Sequence, residues 1–172
     1  MYSRTKLDGE GAVLAENPQA AVARVNFYGF SAAGTRSLAE FFVNNLSVGK
    51  AVRGFTDLKF NPTFVGDLAQ MLLDMLEAGL SGIYHTVSPN VMSKYDFGVA
   101  VARRFGWDES IISPESVDRS ELTARRAHNL GLSIHKLSTA LGESLPDFST
   151  GLNRFYTQFQ QGYPQKIRSY QQ

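Results

Sequence analysis

AAVARVNFYG, residues 20–29, decides how the rest of the chain is read. Ala20 to Val25 is a short and nearly all-apolar run. That is the pattern of a strand buried on both faces of a parallel sheet, because a strand with one wet face alternates instead. Asn26-Phe27-Tyr28-Gly29 is where the chain must then turn away from the sheet. Gly82-Ile-Tyr-His-Thr-Val87 is a second run of the same kind.

Helical patterns surround these two strands. Thr5 to about Glu16 is stopped by Asn17-Pro18. Ser37 to Leu46 is amphipathic. Asp67 is expected to cap a helix with Leu68, Met71, Leu72, Met75 and Leu76 inward, closed by Gly79. Ser93 caps a helix carrying Tyr95, Phe97, Val101 and Phe105 as far as Gly106, and Ser133 to Leu141 and Ser149 to Gln160 complete the helical content. Gly49 to Phe64 alternates around Gly54, Asn61 and Pro62 and is expected to form small strands joined by a turn. Ile112 to Thr123 reads as loop, and the polar last ten residues as a frayed end. Strands alternating with helices predict an α/β fold with a parallel sheet. Two strong strands are fewer than the roughly five of an independent doubly wound sheet, so the chain is expected to be part of a larger unit.

Composition narrows the function classes. The 172 residues and 43% apolar content suit one folded domain with a sizeable core. A net charge of +1, with Arg103-Arg104 and Arg125-Arg126 as isolated pairs, gives no basic face for nucleic acid. There is no cysteine, hence no disulfide, thiolate ligand or cysteine nucleophile, which is compatible with a reducing, cytoplasmic location. No apolar run approaches the ~18 residues of a membrane span, and no signal-peptide pattern opens the chain. His85, His128 and His135 lack metal-ligand spacing with acidic partners, so no metal site is expected.

Tyr2 and Lys6 have a spacing that suits acid–base chemistry, though the pair alone proves little. Four residues apart, they share a helix face. A free phenol titrates at roughly pH 10 and is a poor base at neutrality, and a nearby ammonium favours the phenolate and lowers that value. A surface helix with an exposed lysine and a half-buried tyrosine would show the same spacing.

Several segments together resemble the extended short-chain dehydrogenase/reductases, and in particular their dTDP-4-dehydrorhamnose reductase-like branch. They are Tyr2-x-x-x-Lys6-x-x-Gly9-Glu10; Arg24-Val-Asn26-Phe-Tyr28-Gly29; Phe60-x-Pro62-Thr63-Phe64-Val65-x-Asp67; Gly82-Ile83-Tyr84-His85; and Arg125-Arg126-Ala-His-Asn129-Leu, followed by Lys136-Leu137 and Leu141-Gly142. The resemblance runs from residue 2 to about 160. It implies the C-terminal half of a Rossmann-type, NAD(P)-binding fold, with few parallel strands and a small mixed α/β substrate-binding subdomain. Residues 1–35 would hold the active-site helix and the following core strand. Residues 36–172 would form the substrate-binding part, interleaved with the last core strand at 82–88, and the N-terminal glycine-rich cofactor half would be absent. The nearest glycine cluster, Gly29-Phe-Ser-Ala-Ala-Gly34, has the wrong pattern for a pyrophosphate loop and reads as an ordinary loop.

The resemblance also implies the roles. Tyr2 would give a proton to a ketone oxygen, and Lys6 would hydrogen-bond the nicotinamide ribose of NAD or NADP while lowering the tyrosine's pKa, so both are catalytic and cofactor-binding. Asn26 and Phe27 would face a nucleotide-linked sugar, and Arg125, Arg126 and Asn129 its diphosphate. Reduction of a 4-keto deoxysugar nucleotide is the leading expectation, with little turnover by this chain alone and a homodimer as its assembly. The alternatives are epimerase or dehydratase chemistry on the same scaffold, and a non-catalytic sugar-nucleotide-binding or regulatory module. Residue by residue, other readings compete. Asn26 could cap its own turn, Phe27 and Tyr28 could be core, the arginines could be solvated, and His85 is best explained as a hydrogen-bonded core histidine.

Overall fold

The apolar runs and capping signals assemble into seven α-helices and eight short strands in the computed structural model, which describes residues 2–119 and 127–170, with residues 2 and 119 by backbone alone. In chain order these are α1 (Tyr2–Glu16), β1 (Ala21–Arg24), β2 (Phe27–Tyr28), α2 (Leu38–Leu46), β3 (Val52–Phe55), β4 (Lys59–Phe60), β5 (Thr63–Phe64), α3 (Val65–Glu77), β6 (Gly82–His85), β7 (Met92–Ser93), α4 (Lys94–Phe105), β8 (Ile112–Glu115), α5 (His135–Leu141), α6 (Phe148–Gln160) and α7 (Tyr163–Ser169). The strands pair two by two. β1–β6, β2–β5 and β3–β8 are parallel and β4–β7 is antiparallel. The fold is mixed α/β with mostly parallel pairing. The two apolar runs both form strands, as expected, and lie side by side in parallel, in a register from Ala21↔Gly82 to Arg24↔His85.

Two cores form. The smaller joins Leu68, Met71 and Met75 of α3 to Tyr84, Leu137 and Leu145. The larger is aromatic: Tyr28, Phe42, Phe60, Phe64, Phe97, Phe148 and Phe155 are all buried in it. The Phe155 ring stacks on Phe30 at 4.3 Å between centroids and meets Tyr28 edge-on at 5.5 Å, offset and T-shaped geometries that suit the ring quadrupoles.

The helix ends follow local chemistry. Ser37 and Ser93 open α2 and α4 with full capping boxes, completed by Glu40 and Asp96, and Gly106 closes α4 at φ 72°, a left-handed backbone that favours glycine. The expected cap at Asp67 is replaced. Phe64 occupies the N-cap of α3 without a side-chain bond, and Asp67, buried in the first turn, is paired with Arg154 of α6. Gly151 makes that approach possible, because a Cβ there would lie 3.0 Å from the Asp67 carboxylate and 3.2 Å from the Tyr28 hydroxyl.

Four other expectations change. β1 is only half-buried, since within this chain β6 and α1 cover it incompletely. Leu72 and Leu76 of α3 point outward, Leu76 with 72% of its surface exposed, because the buried stripe is Leu68, Met71 and Met75. Ile112 to Glu115 is strand rather than loop. Its Pro114, opposite Gly54, has no N–H to donate and is tolerated because β8 is an edge strand. The polar C-terminus contains α7, whose Arg168 guanidinium lies against Gly34.

Candidate active site

The most informative geometry lies where α1 meets β1. The Asn17-Pro18 turn reverses the chain, so α1 and β1 run antiparallel. From Glu16 back to Glu10 the helix climbs about 9 Å at ~1.5 Å per residue, and from Ala21 to Arg24 the strand covers about 10 Å at ~3.3 Å per residue. Glu10 and Arg24 therefore end level, and they bond. Arg24 Nε donates to Glu10 Oε1 at 2.9 Å and Arg24 Nη2 donates to Oε2 at 2.6 Å, a two-pronged carboxylate–guanidinium pair. The guanidinium holds the Glu10 carboxyl below its ordinary pKa, and the Arg24 pKa rises in return, chiefly through the same bond.

Across the ladder from Arg24 sits His85, whose Nδ1 is 3.0 Å from the carbonyl of Ser133. A carbonyl only accepts, so Nδ1 carries the proton. His85 is thus the hydrogen-bonded, half-buried histidine that its strand position predicts. Lys6 is one helical turn before Glu10 and Tyr2 is two turns before it, along one ridge of α1. The ridge carries the backbone of Lys6 and Tyr2 about 6 and 12 Å past the level of Arg24, over the carboxyl end of β1. Open α/β sheets bind ligands at that edge.

Asn26 and Phe27 leave β1 at the same edge. Phe27 has 55% of its surface exposed, so the core reading fails for it and holds for Tyr28, which is 1% exposed. With Gly29, Phe30, Ser31, Arg36, Ser37 and Val65, Phe27 lines a cleft of about 380 Å³. The floor of this cleft is built by one carboxylate. Buried Glu40 accepts from the backbone N–H groups of Ser31 (2.6 Å), Arg36 (2.9 Å) and Ser37 (3.0 Å), and from the Ser31 hydroxyl (2.8 Å). Ser37 Oγ in turn donates to the Gly29 carbonyl at 2.7 Å. Glu40 thus ties down the N–H groups of Ser31 and Arg36 in the loop before α2 and of Ser37 at its N-cap, while the Glu40 N–H is taken by Ser37 Oγ. The exposed Arg36 side chain remains as the cation of the cleft.

The remaining expected site residues are more scattered. Asn129 is exposed and its Oδ1 accepts from Gly131 N at 2.9 Å, closing a local turn beside Lys59 of β4. Arg125 and Arg126 lie outside the described residues. Lys136 Nζ donates to the Ile83 carbonyl at 2.7 Å and sits 4.1 Å above the Tyr84 ring, so it fastens α5 to β6. Asp57, Asp118 and His128, distant in sequence, bring ligand-capable atoms within 4.8 Å of one another. Both Asp57 oxygens already hold Ser116 Oγ and Val117 N, so the cluster acts as a loop staple.

The sequence reading overlooked Asn61, taken as a turn residue. It is completely buried, donates to the carbonyls of Ser88 (2.9 Å) and Leu132 (3.3 Å), and accepts from Leu132 N at 2.8 Å. Beside it Ser88 N donates to Thr63 Oγ1 at 2.8 Å. These bonds hold residues 130–133 across the carboxyl end of β6, and the Pro that follows Asn61 is the one local signal that its backbone is constrained.

The family model described as RmlD substrate binding domain matches residues 1–161. The chain is similar to the probable low-salt glycan biosynthesis reductase Agl14 of Haloferax volcanii, at 30% identity over 154 residues, 88% of this chain and 51% of that protein. It is 32% identical to the dTDP-4-dehydrorhamnose reductase of Mycolicibacterium smegmatis over 88% of this chain and 46% of that protein. It is 30% identical to methionine adenosyltransferase 2 subunit beta of Mus musculus over 88% of this chain and 47% of that protein. A crystal structure of a dTDP-4-dehydrorhamnose reductase from Clostridium acetobutylicum superposes with a TM-score of 0.80 at 24% identity, over 92% of this chain and 55% of that one. The chain spans about half the length of the curated relatives it matches.

Proposed function

The chain belongs to the RmlD substrate binding domain family, and from that membership we propose that it supplies the catalytic helix and the sugar side of an NAD(P)-dependent nucleotide-sugar reductase. The favoured reaction reduces a 4-keto deoxysugar nucleotide. Tyr2 gives a proton to the ketone oxygen, and Lys6, one turn away, lowers the phenol's pKa and hydrogen-bonds the nicotinamide ribose. When bound, the nicotinamide supplies the hydride. Asn26 and Phe27 receive the sugar, and Arg125, Arg126 and Asn129 meet the diphosphate. Arg36 joins them as a cation of the cleft. The observation that carries this reading is the overhang of the Tyr2–Lys6–Glu10 ridge beyond Arg24, at the edge where Phe27 is left exposed.

The residues fit one end of the cofactor only. Tyr2 and Lys6 suit the nicotinamide riboside. The Gly29–Gly34 loop lacks the glycine pattern of a pyrophosphate grip, and the buried Glu40 carboxylate beneath it would repel one. We place that grip in a nucleotide-binding unit outside these 172 residues. In this division residues 1–35 and 82–88 are the edge that meets it, and the rest of 36–172 is substrate domain. A cytoplasmic homodimer completes the reading.

The similarity to a subunit of methionine adenosyltransferase favours a second reading, a non-catalytic regulatory module. One experiment separates the two. The longest polypeptide that carries this chain is given a dTDP-linked 4-keto-6-deoxysugar and NADPH, as wild type and as Tyr2→Phe. Loss of nicotinamide absorbance that the substitution abolishes, with sugar-nucleotide binding retained, is expected. No consumption of NADPH by the wild type overturns the reductase, and identical behaviour of both proteins supports the module.

A further inference from the structure

α1 is an unusual helix to entrust with chemistry. A surface helix ordinarily docks through an apolar stripe, and α1 has none. Of its described side chains only Glu10 and Leu14 are half-buried, and Leu7 and Val13 face outward. Burial within these 172 residues therefore fixes neither its rotation about its own axis nor its sliding along β1. The Glu10–Arg24 pair can fix both. Two parallel N–H···O bonds at 2.9 and 2.6 Å define a plane as well as a distance, which a single ammonium–carboxylate contact does not. The strand end of the pair is itself held. Arg24 lies on the ladder opposite His85, and His85 is tied to Ser133. Sliding α1 by one residue would move its ridge by ~1.5 Å and turn it by ~100°. Either displacement would carry Tyr2 and Lys6 away from the carboxyl end of β1, and about 1 Å of misplacement is enough to cost a reaction some hundredfold in rate.

We propose that Glu10 and Arg24 are positioning residues, a bidentate latch that sets the register and rotation of α1 on β1 and so aims Tyr2 and Lys6 at the substrate edge. The proposal rests on the reductase reading for its consequence and on the ion pair for its geometry, and the two are tested separately.

The geometric test uses the longest polypeptide that carries the chain. Amide hydrogen exchange of α1 is compared in wild type, Glu10→Gln, Arg24→Gln and the reversed pair Glu10→Arg/Arg24→Glu, with α6 as internal reference. Each single substitution is expected to speed α1 exchange at least about tenfold while α6 stays within about twofold, and the reversed pair is expected to restore much of the protection. Alpha-helical amides of α1 that exchange alike in all four proteins overturn the latch. The functional test uses the longest polypeptide that carries the chain. The single variants should lower kcat about tenfold or more with KM for the sugar nucleotide within about twofold, and the reversed pair should regain part of it. A loosened helix with unchanged kcat overturns positioning. Two controls keep the failures apart: a wild type that consumes no NADPH overturns the reductase reading, a Tyr2→Phe variant that turns over normally overturns Tyr2 as the proton donor, and in either case the exchange data still judge the latch.

Discussion

Phe155 and α1 sit in the same chain and are held by different forces. Phe155 is fully buried and touches Tyr28, Phe30, Phe64 and Phe105 through stacked, tilted and edge-on ring contacts. Around it every helix brings an apolar stripe, and association is driven by area removed from water. α1 has fifteen residues and shows two half-buried side chains, one of them an acid in an ion pair. Among the described residues, the helix that carries Tyr2 and Lys6 meets β1 through the Glu10–Arg24 pair. Leu72, Leu73 and Leu76 of α3 are likewise exposed. The difference teaches that, within these 172 residues, the larger core is held by buried rings while α1 is joined to β1 through an ion pair.

The harshest way to break this comparison is Phe155→Ala. Removing a ring from the centre of the larger core should cost about 3–5 kcal/mol, read as a lower denaturation midpoint with the slope unchanged. If the loss is under about 1 kcal/mol, buried rings do not hold the larger core. Next comes Asn61→Ala, which leaves Leu132 N and two carbonyls without their buried partner and should cost about 1–3 kcal/mol. Its mark is faster exchange in residues 130–133, with β3 and β8 unaffected.

A pH titration sharpens the other half. Hydrogen bonding from Arg24, then its charge and the smaller influence of His85, lower the Glu10 pKa from its ordinary 4.5. A lowered folded-state value means that the latch is at full strength above pH 4.5 and is lost as pH falls through the lower folded value. Exchange of α1 should therefore rise on acidification before that of α6 does, and simultaneous loss of both would contradict a helix joined to β1 through this pair. The smallest effect belongs to Tyr28→Phe. Burial, aided by the Asp67 charge, pushes the Tyr28 hydroxyl far above its ordinary pKa, and that hydroxyl has no hydrogen-bond partner among the described residues. Deleting it should leave stability within about 0.5 kcal/mol or raise it slightly.

The legibility of the sequence divides along physical lines. Ser37, Ser93 and Gly106 were readable as helix ends because capping needs residues only a few positions apart. That residues 21–24 and 82–85 form strands of the parallel type was foreseeable from two matching apolar runs. β8 was hidden, because a proline in Ile112–Glu115 signals loop locally and its acceptance depends on an edge position that only assembly creates. The inward face of α3 was drawn too wide, since periodicity gives a stripe but not which half of it finds a partner.

At the site the same boundary appears. For Tyr2 and Lys6 spacing offers only a shared helix face, and for Asn26 and Phe27 only a place after a strand; their roles come from the resemblance of the ordered segments to a family. Whether Phe27 is core or cleft, that Asp67 answers Arg154 instead of capping α3 and that Glu10 reaches Arg24 were settled by contacts between residues remote in sequence. Spacing along a helix or strand fixes which residues share a face. Only the packed chain decides what that face meets, because burial and pairing energies belong to pairs of elements and not to either element alone.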